Sequence, residues 1–176
     1  MKIEPPFPAD HAAIEALLDE AFGADRHTRT AYRLREGATP LAGLTLIARE
    51  DGRVIGSLQC WAILLVEPSR RAHALTLLGP VAVAADRRGE GLGATLIRTC
   101  LARAGDTPML LIGDAPYYGR FGFTAETTRA WSLPGPVERE RLLAWGVEGL
   151  PTICRNPAGT SPSRRRVKAN AHPITI

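Results

Sequence analysis

The sequence has few cysteines and no long apolar segment, and each shortage excludes a class of protein. Its three cysteines, Cys60, Cys100 and Cys154, lie far apart, and no two of them have C-x-x-C spacing. Because the number of cysteines is odd and they are dispersed along the chain, they favour neither a disulfide framework nor a zinc site. We therefore expect no metal, buried thiols at Cys60 and Cys100, and a reducing, cytoplasmic setting. No apolar run is long enough to span a bilayer, which predicts that no membrane is a partner.

Acidic residues are absent from the last seventeen positions. Residues 164–168 contain three arginines and one lysine, and these four account for the formal net charge of +4, because the remaining 18 Lys and Arg balance the 18 Asp and Glu. The basic character therefore belongs to a tail, and the neutral body predicts no nucleic-acid-binding surface. Length and composition favour one domain at 1–156, followed by a Pro-, Ser- and Arg-rich tail at 157–176.

Hydrophobic periodicity predicts an α+β chain in which two helices and three strands precede a further helix. After that helix, four consecutive apolar residues at 109–112 predict a strand covered on both faces, in the middle of a sheet. Residues 123–131 predict another strand, and residues 138–145 fit either a helix or a strand. The upstream elements are a helix at 10–22 with Asp10 as its N-cap, a short helix or ordered loop at 25–36, and strands at 44–49 and 54–66 joined by a hairpin turn at 50–53.

A glycine-rich turn lies at the centre of the chain, between an apolar run at 77–83 and an amphipathic stretch from Leu92 to Ala104. The run predicts a buried strand, and the apolar residues of the second stretch recur at helical spacing. Glycine in a helix costs about 1 kcal/mol relative to alanine, so glycines at a helix start indicate a second role. The turn contains Gly89, Gly91 and Gly93.

The turn has the features of a phosphate-binding site. The first N–H groups of a helix have no internal partner, and the helix dipole favours negative charge there. Arg87 and Arg88 add two positive charges beside these amides. The alternative is a tight turn whose glycines only permit close packing.

Two nucleotide-binding motifs are the alternatives for this turn. It lacks the Lys-Ser/Thr pair of a nucleotide P-loop. Gly89-x-Gly91-x-x-Ala94 fits the dinucleotide form, and Asp114 follows the next predicted strand, where a ribose-binding acid is expected. However, residues 84–88 separate the strand from the first glycine, and the chain beyond Asp114 offers no further helix-length β–α unit. These two features disfavour a nicotinamide-dependent oxidoreductase, which is the third hypothesis after the two given at the end of this section.

Two segments carry a resemblance to a known family. Arg88, Gly91 and Gly93 form R-x-x-G-x-G after the strand at 81–83, which resembles the acetyl-coenzyme A (acetyl-CoA) binding motif of the GNAT N-acetyltransferase superfamily. Tyr118 begins a segment similar to the family's Y-x-x-x-G-F. The longer string at 111–123 looks like the YhbS-like branch of these acetyltransferases, and the resemblance covers about residues 1–150.

The resemblance implies a GNAT-like fold, with a central, mostly antiparallel twisted sheet that has one parallel, splayed strand pair and is flanked by helices. It also implies acetyl-CoA as cosubstrate, with the pyrophosphate on the glycine turn and the pantetheine arm along the strand. The cosubstrate-binding residues expected on this basis are Val81, Ala82, Val83, Arg87, Arg88, Gly89, Gly91, Leu92, Gly93 and Ala94.

Tyr118 matches the family's tyrosine and is the expected general acid toward the leaving thiolate. The alternative is that Tyr117 and Tyr118 are core aromatics with hydroxyls at the rim. A backbone N–H near Val81 or Val83 would polarise the thioester carbonyl. No single general base is identifiable, and water can serve instead. The candidates in segments that could reach a cleft are Glu20, Asp25, His27, Glu36, Glu67 and His73.

The sequence thus predicts an N-acetyltransferase that moves an acetyl group from acetyl-CoA to a primary amine of a small molecule, peptide or protein. Direct attack on the thioester is expected, because no cysteine lies near the end of the motif strand as an acyl carrier. The second hypothesis is a non-catalytic acyl-CoA-binding sensor or interaction module. The arginines between residues 26 and 35 form either a charged helix face or a site that attracts an acidic substrate. The resemblance leaves a homodimer open.

Overall fold

The computed structural model describes residues 1–150 and a two-residue strand at 174–175. Cys154 and the predicted domain boundary after residue 156 lie outside these residues. Within the described residues, no helix combines the length and the apolar character needed to cross a membrane. The strands are β1 (Lys2–Glu4), β2 (Leu46–Glu50), β3 (Arg53–Val66), β4 (Ala72–Val83), β5 (Met109–Ile112), β6 (Leu142–Trp145) and β7 (Ile174–Thr175).

The strands form one sheet in the order β1-β2-β3-β4-β5-β6, with β7 paired to β3. Along the main path all neighbours are antiparallel except β4 and β5, which are parallel and are joined through a helix. This arrangement confirms the expected mostly antiparallel sheet with one parallel pair. It differs from a doubly wound sheet, in which parallel strands repeat. The helices are α1 (His11–Phe22), α2 (Thr30–Leu34), α3 (Leu92–Ala104) and α4 (Ala115–Gly119).

The two long helices cover opposite faces of the sheet. On β2, Leu46 and Ala48 belong to the core beneath α3, whereas Ile47 belongs to the core beneath α1. Successive side chains of a strand point to opposite faces, so this alternation places α1 and α3 on different sides. Cys60 of β3 and Cys100 of α3 are both buried, with their sulfur atoms 3.5 Å apart, which confirms their expected burial.

Local patterns identified several elements correctly. Asp51 and Gly52 both have positive φ, +48° and +81°, as a two-residue hairpin turn requires. Strand β5 pairs with a neighbour on each side, which confirms its predicted place inside the sheet. In the segment at 138–145, which fits either a helix or a strand by sequence, Arg139–Arg141 form a 3₁₀ turn that is followed by β6.

The strand predicted at 123–131 is wrong. Thr124 forms a single bridge with Ala144, after which Thr127–Ala130 turns into a 3₁₀ helix. The Thr128 hydroxyl donates to the carbonyl of Leu142 at 2.6 Å, so a side chain makes the contact with β6 that a strand backbone would have made. Strand β1 was not predicted, since three residues are too short to show periodicity.

Asp10 precedes α1 but does not cap it. Its carboxylate accepts hydrogen bonds from the Phe7 amide at 2.8 Å and from Arg49 Nη2 at 2.7 Å. The 3₁₀ turn at Pro8–Asp10 gives Asp10 a helical conformation, which directs the side chain away from the first amides of α1. Asp10 therefore joins the start of α1 to strand β2 through Arg49.

Replacing Asp10 with Asn should lower the free energy of unfolding by about 2 kcal/mol at pH 7, the usual worth of hydrogen bonds to a charged group. Arg49 and the Phe7 amide hold the pKa of Asp10 below its ordinary value. A depressed carboxylate pKa stabilises the fold above the unfolded-state value and loses this contribution as the pH falls through the folded-state value. Urea unfolding of Asp10→Asn should consequently show a weaker loss of stability in acid than the wild type. The exposed Asp106, replaced by Asn, serves as control, and equal effects of the two substitutions would contradict this account.

Candidate functional site

Strands β4 and β5 part soon after they meet. They pair only at Thr76 with Met109 and at Leu77 with Leu110, although β4 continues to Val83. Beyond β5 the chain turns toward β6, where the Gly113 amide donates to the carbonyl of Arg141 at 2.9 Å. The splayed pair that the resemblance implied is therefore present, and it leaves one edge of β4 open.

Among the described residues, no strand pairs with the end of β4 on its open edge. The Ala84 amide donates to the carbonyl of Ile55 at 3.0 Å, so this amide faces β3. Backbone groups alternate in direction along a strand, which places the N–H groups of Val81 and Val83 on the open side. The carbonyl of Val83 accepts from Nε of Arg88 at 3.4 Å, in agreement with this orientation.

The start of α3 forms a set of free amides. Gly91 precedes the helix with φ of +78°, a conformation that favours glycine. The first backbone hydrogen bond into the helix runs from the Thr95 amide to the carbonyl of Gly91 at 3.0 Å. Within the described residues, the amides of Leu92, Gly93 and Ala94 have no protein acceptor. The side chain of Leu92 is buried in the core, so only its backbone faces outward.

The two arginines beside this turn have different environments. Arg87 forms ion pairs with Glu50 and Glu90, which neutralise its charge. Arg88 lines a cavity of about 280 Å³ between β4 and α3, which we call the channel. The predicted residues that line the channel are Val81, Ala82, Val83, Arg88, Gly93 and Tyr118.

A larger cavity of about 720 Å³ adjoins the channel, and we call it the arginine cleft. It lies between the segment at 26–35, residues 77–81 of β4, the loop at 112–114 and the segment at 136–141. Tyr118, Val81 and Phe22 line both cavities. Tyr118 therefore lies where the channel and the cleft meet.

Tyr118 is the fourth of the five residues of helix α4. Asp114 caps α4 by accepting a hydrogen bond from the Tyr117 amide at 3.1 Å. A Cβ atom added at Gly113 would overlap the Tyr118 ring, so glycine is what allows the ring to occupy this place. Burial, assisted by nearby Tyr117, raises the pKa of Tyr118 to about 12. The phenol is consequently protonated at neutral pH and is able to donate a proton.

The candidate bases predicted from sequence do not meet at this junction. Among the described residues, none of the six lines the arginine cleft, whose carboxylates are Asp114 and Glu138. Glu20 instead accepts from the Ala85 amide at 3.2 Å, and Glu67 pairs with His73 at 2.5 Å. Glu138 was missed because only the turn before β6 brings it to the cleft.

Comparison with known proteins identifies relatives of this chain in sequence and in structure. The profile of the acetyltransferase (GNAT) family matches residues 11–123. The sequence is 25% identical over 146 residues to the uncharacterized N-acetyltransferase YjhQ of Escherichia coli K12, covering 81% of this chain and 80% of that protein. The structure is similar to that of the GNAT family N-acetyltransferase YhbS from Escherichia coli in complex with CoA, with a TM-score of 0.64, 27% identity, and coverage of 81% of this chain and 79% of that one.

A second solved structure is a GNAT family acetyltransferase from Brucella melitensis in complex with acetyl-CoA. The TM-score is 0.55 at 29% identity, with 82% of this chain and 94% of that chain covered. Both solved relatives thus contain CoA or its acetyl thioester, the class of ligand whose pyrophosphate would suit free amides at a helix start.

Proposed function

The chain belongs to the acetyltransferase (GNAT) family, and on that premise we propose that it transfers the acetyl group of acetyl-CoA to a primary amine by direct attack on the thioester. It is an acyltransferase, and acetyl-CoA is its cosubstrate. One observation carries the proposed mechanism. Tyr118 and Val81 line both the channel and the arginine cleft, so a thioester in the channel and an amine in the cleft would meet beside them.

The start of α3 would bind the pyrophosphate. Among the residues that the structure describes, the amides of Leu92, Gly93 and Ala94 have no protein acceptor, and the positive end of the helix dipole favours an anion there. Arg88 adds a cation at the channel, whereas the charge of Arg87 is already matched by two glutamates. We therefore assign phosphate binding mainly to these amides and to Arg88.

The open edge of β4 would bind the pantetheine arm. The amide groups of the pantetheine arm resemble those of a peptide. They can therefore pair with the free backbone of β4 as an added strand does. The N–H groups of Val81 and Val83 face this side. One of them would donate to the thioester oxygen and stabilise the negative charge that develops when the amine attacks.

Tyr118 would supply the proton that the leaving group needs. The amine nitrogen forms a bond to the carbonyl carbon, and the tetrahedral intermediate then breaks its C–S bond. The departing thiolate takes the Tyr118 proton, and a proton from the ammonium group returns to the phenolate through water. A phenol that stays protonated at neutral pH suits this role.

Transfer activity is tested by incubating the protein with acetyl-CoA and pools of primary amines. Free thiol and acetylated amine are then measured, the latter by mass. The proposal predicts both products in equal amounts. Stabilisation by acetyl-CoA in a thermal-shift assay without turnover of any amine would instead indicate a non-catalytic binding module. Binding of a nicotinamide dinucleotide and not of CoA would indicate the oxidoreductase.

Replacing Arg88 with Ala should weaken CoA binding about tenfold, the effect expected for one charge-assisted contact to a phosphate. Arg87→Ala is the matched control, because that guanidinium already pairs with Glu50 and Glu90 and does not line the channel. Isothermal titration calorimetry compares the two variants. Equal dissociation constants would remove Arg88 from the proposed phosphate site.

A further inference from the structure

The arginine cleft holds more positive than negative charge. Five arginines and two carboxylates line it. One arginine, Arg26, is neutralised by ion pairs to Glu15 at 2.6 Å and Asp19 at 2.7 Å. Another, Arg141, lies 3.9 Å from Glu138. The remaining lining arginines are Arg29, Arg33 and Arg35.

These three arginines bond to neutral groups. Arg29 donates to the carbonyl of Phe22 at 2.7 Å, Arg33 to that of Pro134 at 3.3 Å, and Arg35 to the side-chain oxygen of Gln59 at 3.0 Å. In the part of the chain that the structure describes, none of the three has a carboxylate within 4 Å. The excess charge of the cleft is therefore not balanced by its own lining.

Arg35 differs from an ordinary surface arginine. It is only 8% exposed, which excludes the alternative of a solvated helix face for this residue. Its guanidinium lies 3.7 Å from the centre of the Tyr32 ring and 4.4 Å from that of Trp61. The two rings and Gln59 hold the planar group in one orientation. Arg35 lines the arginine cleft and also a second cavity of about 450 Å³, which is lined by Gln59, Trp61, Glu15 and Glu36 as well.

Burial also acts against this charge. It lowers the pKa of Arg35 below the ordinary value, although a guanidinium remains protonated in proteins. A buried cation that bonds mainly to neutral groups gains more from an arriving anion than a solvated cation does. A planar, fixed guanidinium matches a carboxylate, which can accept two parallel N–H groups.

We propose that the acceptor amine carries a carboxylate group, which Arg35 binds in the arginine cleft while the amine faces Tyr118. Arg33, which is exposed at the same cleft, adds charge that attracts this substrate. The inference rests on the proposed function, because it identifies the class of amine that the transfer uses. It narrows the acceptor to amino acids, other amino carboxylates and peptides that present a carboxylate near the reacting amine.

The test compares amines that differ only in the carboxylate. Matched pairs are 4-aminobutyrate with butylamine, 6-aminohexanoate with hexylamine, and leucine with leucinamide. For at least one pair, kcat/KM of the wild-type enzyme should be at least about tenfold higher for the carboxylate, and the preference should fall with added salt. An equal or higher value for the uncharged partner in all pairs would overturn the proposal. So would a stronger preference for O-phosphoethanolamine than for any carboxylate.

Substitutions of single arginines show which residues cause the preference for the carboxylate-bearing amine. Arg35→Gln should remove it while leaving the dissociation constant of acetyl-CoA unchanged, and Arg35→Lys should restore only part of it, because lysine lacks the planar fork. Arg33→Gln, an exposed position, should reduce the preference even if Arg35→Gln fails to fold. Arg103→Gln, exposed on α3 outside the cleft, is the control. Equal losses for charged and uncharged amines in the Arg35 and Arg33 variants would contradict the assignment.

A binding measurement separates this inference from the proposed function. Titration calorimetry of the enzyme–CoA complex with 6-aminohexanoate and with hexylamine requires no turnover. Tighter binding of the carboxylate without acetylation of any amine would support the anion site and refute the transfer mechanism. Acetylation of amines without a preference for the carboxylate would support the transfer mechanism and refute the anion site.

Discussion

Tyr118→Phe lowers kcat by roughly 100-fold or more, the lower end of what a positioned general acid contributes, and leaves the dissociation constant of acetyl-CoA nearly unchanged. The substitution removes the phenolic proton and keeps the ring that packs against Phe123 and Tyr117. Steady-state kinetics with a saturating amine, together with calorimetric binding of CoA, measure the two effects separately. Because the pKa of Tyr118 is about 12, deprotonation of this residue should not limit the wild-type rate between about pH 6 and 9.

Tyr117→Phe provides the comparison for this variant. Both tyrosines line the channel, but only Tyr118 also lines the arginine cleft. The Tyr117 variant should therefore keep kcat within about fivefold of the wild type, since Tyr117 does not line the cleft where the amine is proposed to meet the thioester. A Tyr118→Phe enzyme with wild-type kcat would remove this residue from the mechanism.

Gly93→Leu raises the dissociation constant of CoA by about 100-fold or more, equivalent to roughly 2.7 kcal/mol of binding free energy. Gly93 lines the channel, and a Cβ added there would lie 3.3 Å from the Tyr117 hydroxyl and 3.7 Å from a methyl group of Val83. A leucine side chain would fill the space that the pantetheine arm and the pyrophosphate require. Calorimetry with CoA measures the loss.

Stability distinguishes a blocked site from a damaged fold. Gly93 is in the first turn of α3, where alanine is about 1 kcal/mol better than glycine. Gly93→Ala should therefore keep or raise the melting temperature while it weakens CoA binding by about tenfold. Gly43→Ala is the control, because a Cβ at that position meets no atom within 4 Å and lies outside both cavities. Unchanged CoA affinity in Gly93→Leu would contradict the proposed channel.

Elements formed by residues adjacent in sequence are predictable from the sequence alone. The strand, glycine turn and helix between 77 and 104 form one continuous segment, so its periodicity and its glycines carry the whole pattern. Strand β5 is another such case, because an unbroken apolar run is what a strand inside a sheet requires. The family resemblance added the splayed pair, which no local pattern shows.

Contacts between distant segments explain what the sequence could not predict. Thr128 contacts Leu142 of β6 by its side chain, and this contact ends the strand predicted at 123–131. Asp10 contacts Arg49, far away in sequence, and so does not cap α1. The burial of Arg35 depends on Trp61 and Gln59 of β3, which lie around it although they are more than twenty residues away in sequence, so no local pattern could predict it.

The central claim is that free amides at the start of α3 bind the pyrophosphate of CoA, and amide NMR tests it most directly. In spectra of the ¹⁵N-labelled protein, saturating CoA should move the amide signals of Leu92, Gly93 and Ala94 strongly downfield, as new hydrogen bonds to phosphate oxygen do, while the exposed control amide of Gly43 stays in place. If CoA binds at full occupancy and these three signals do not move, the pyrophosphate lies elsewhere and the account is wrong.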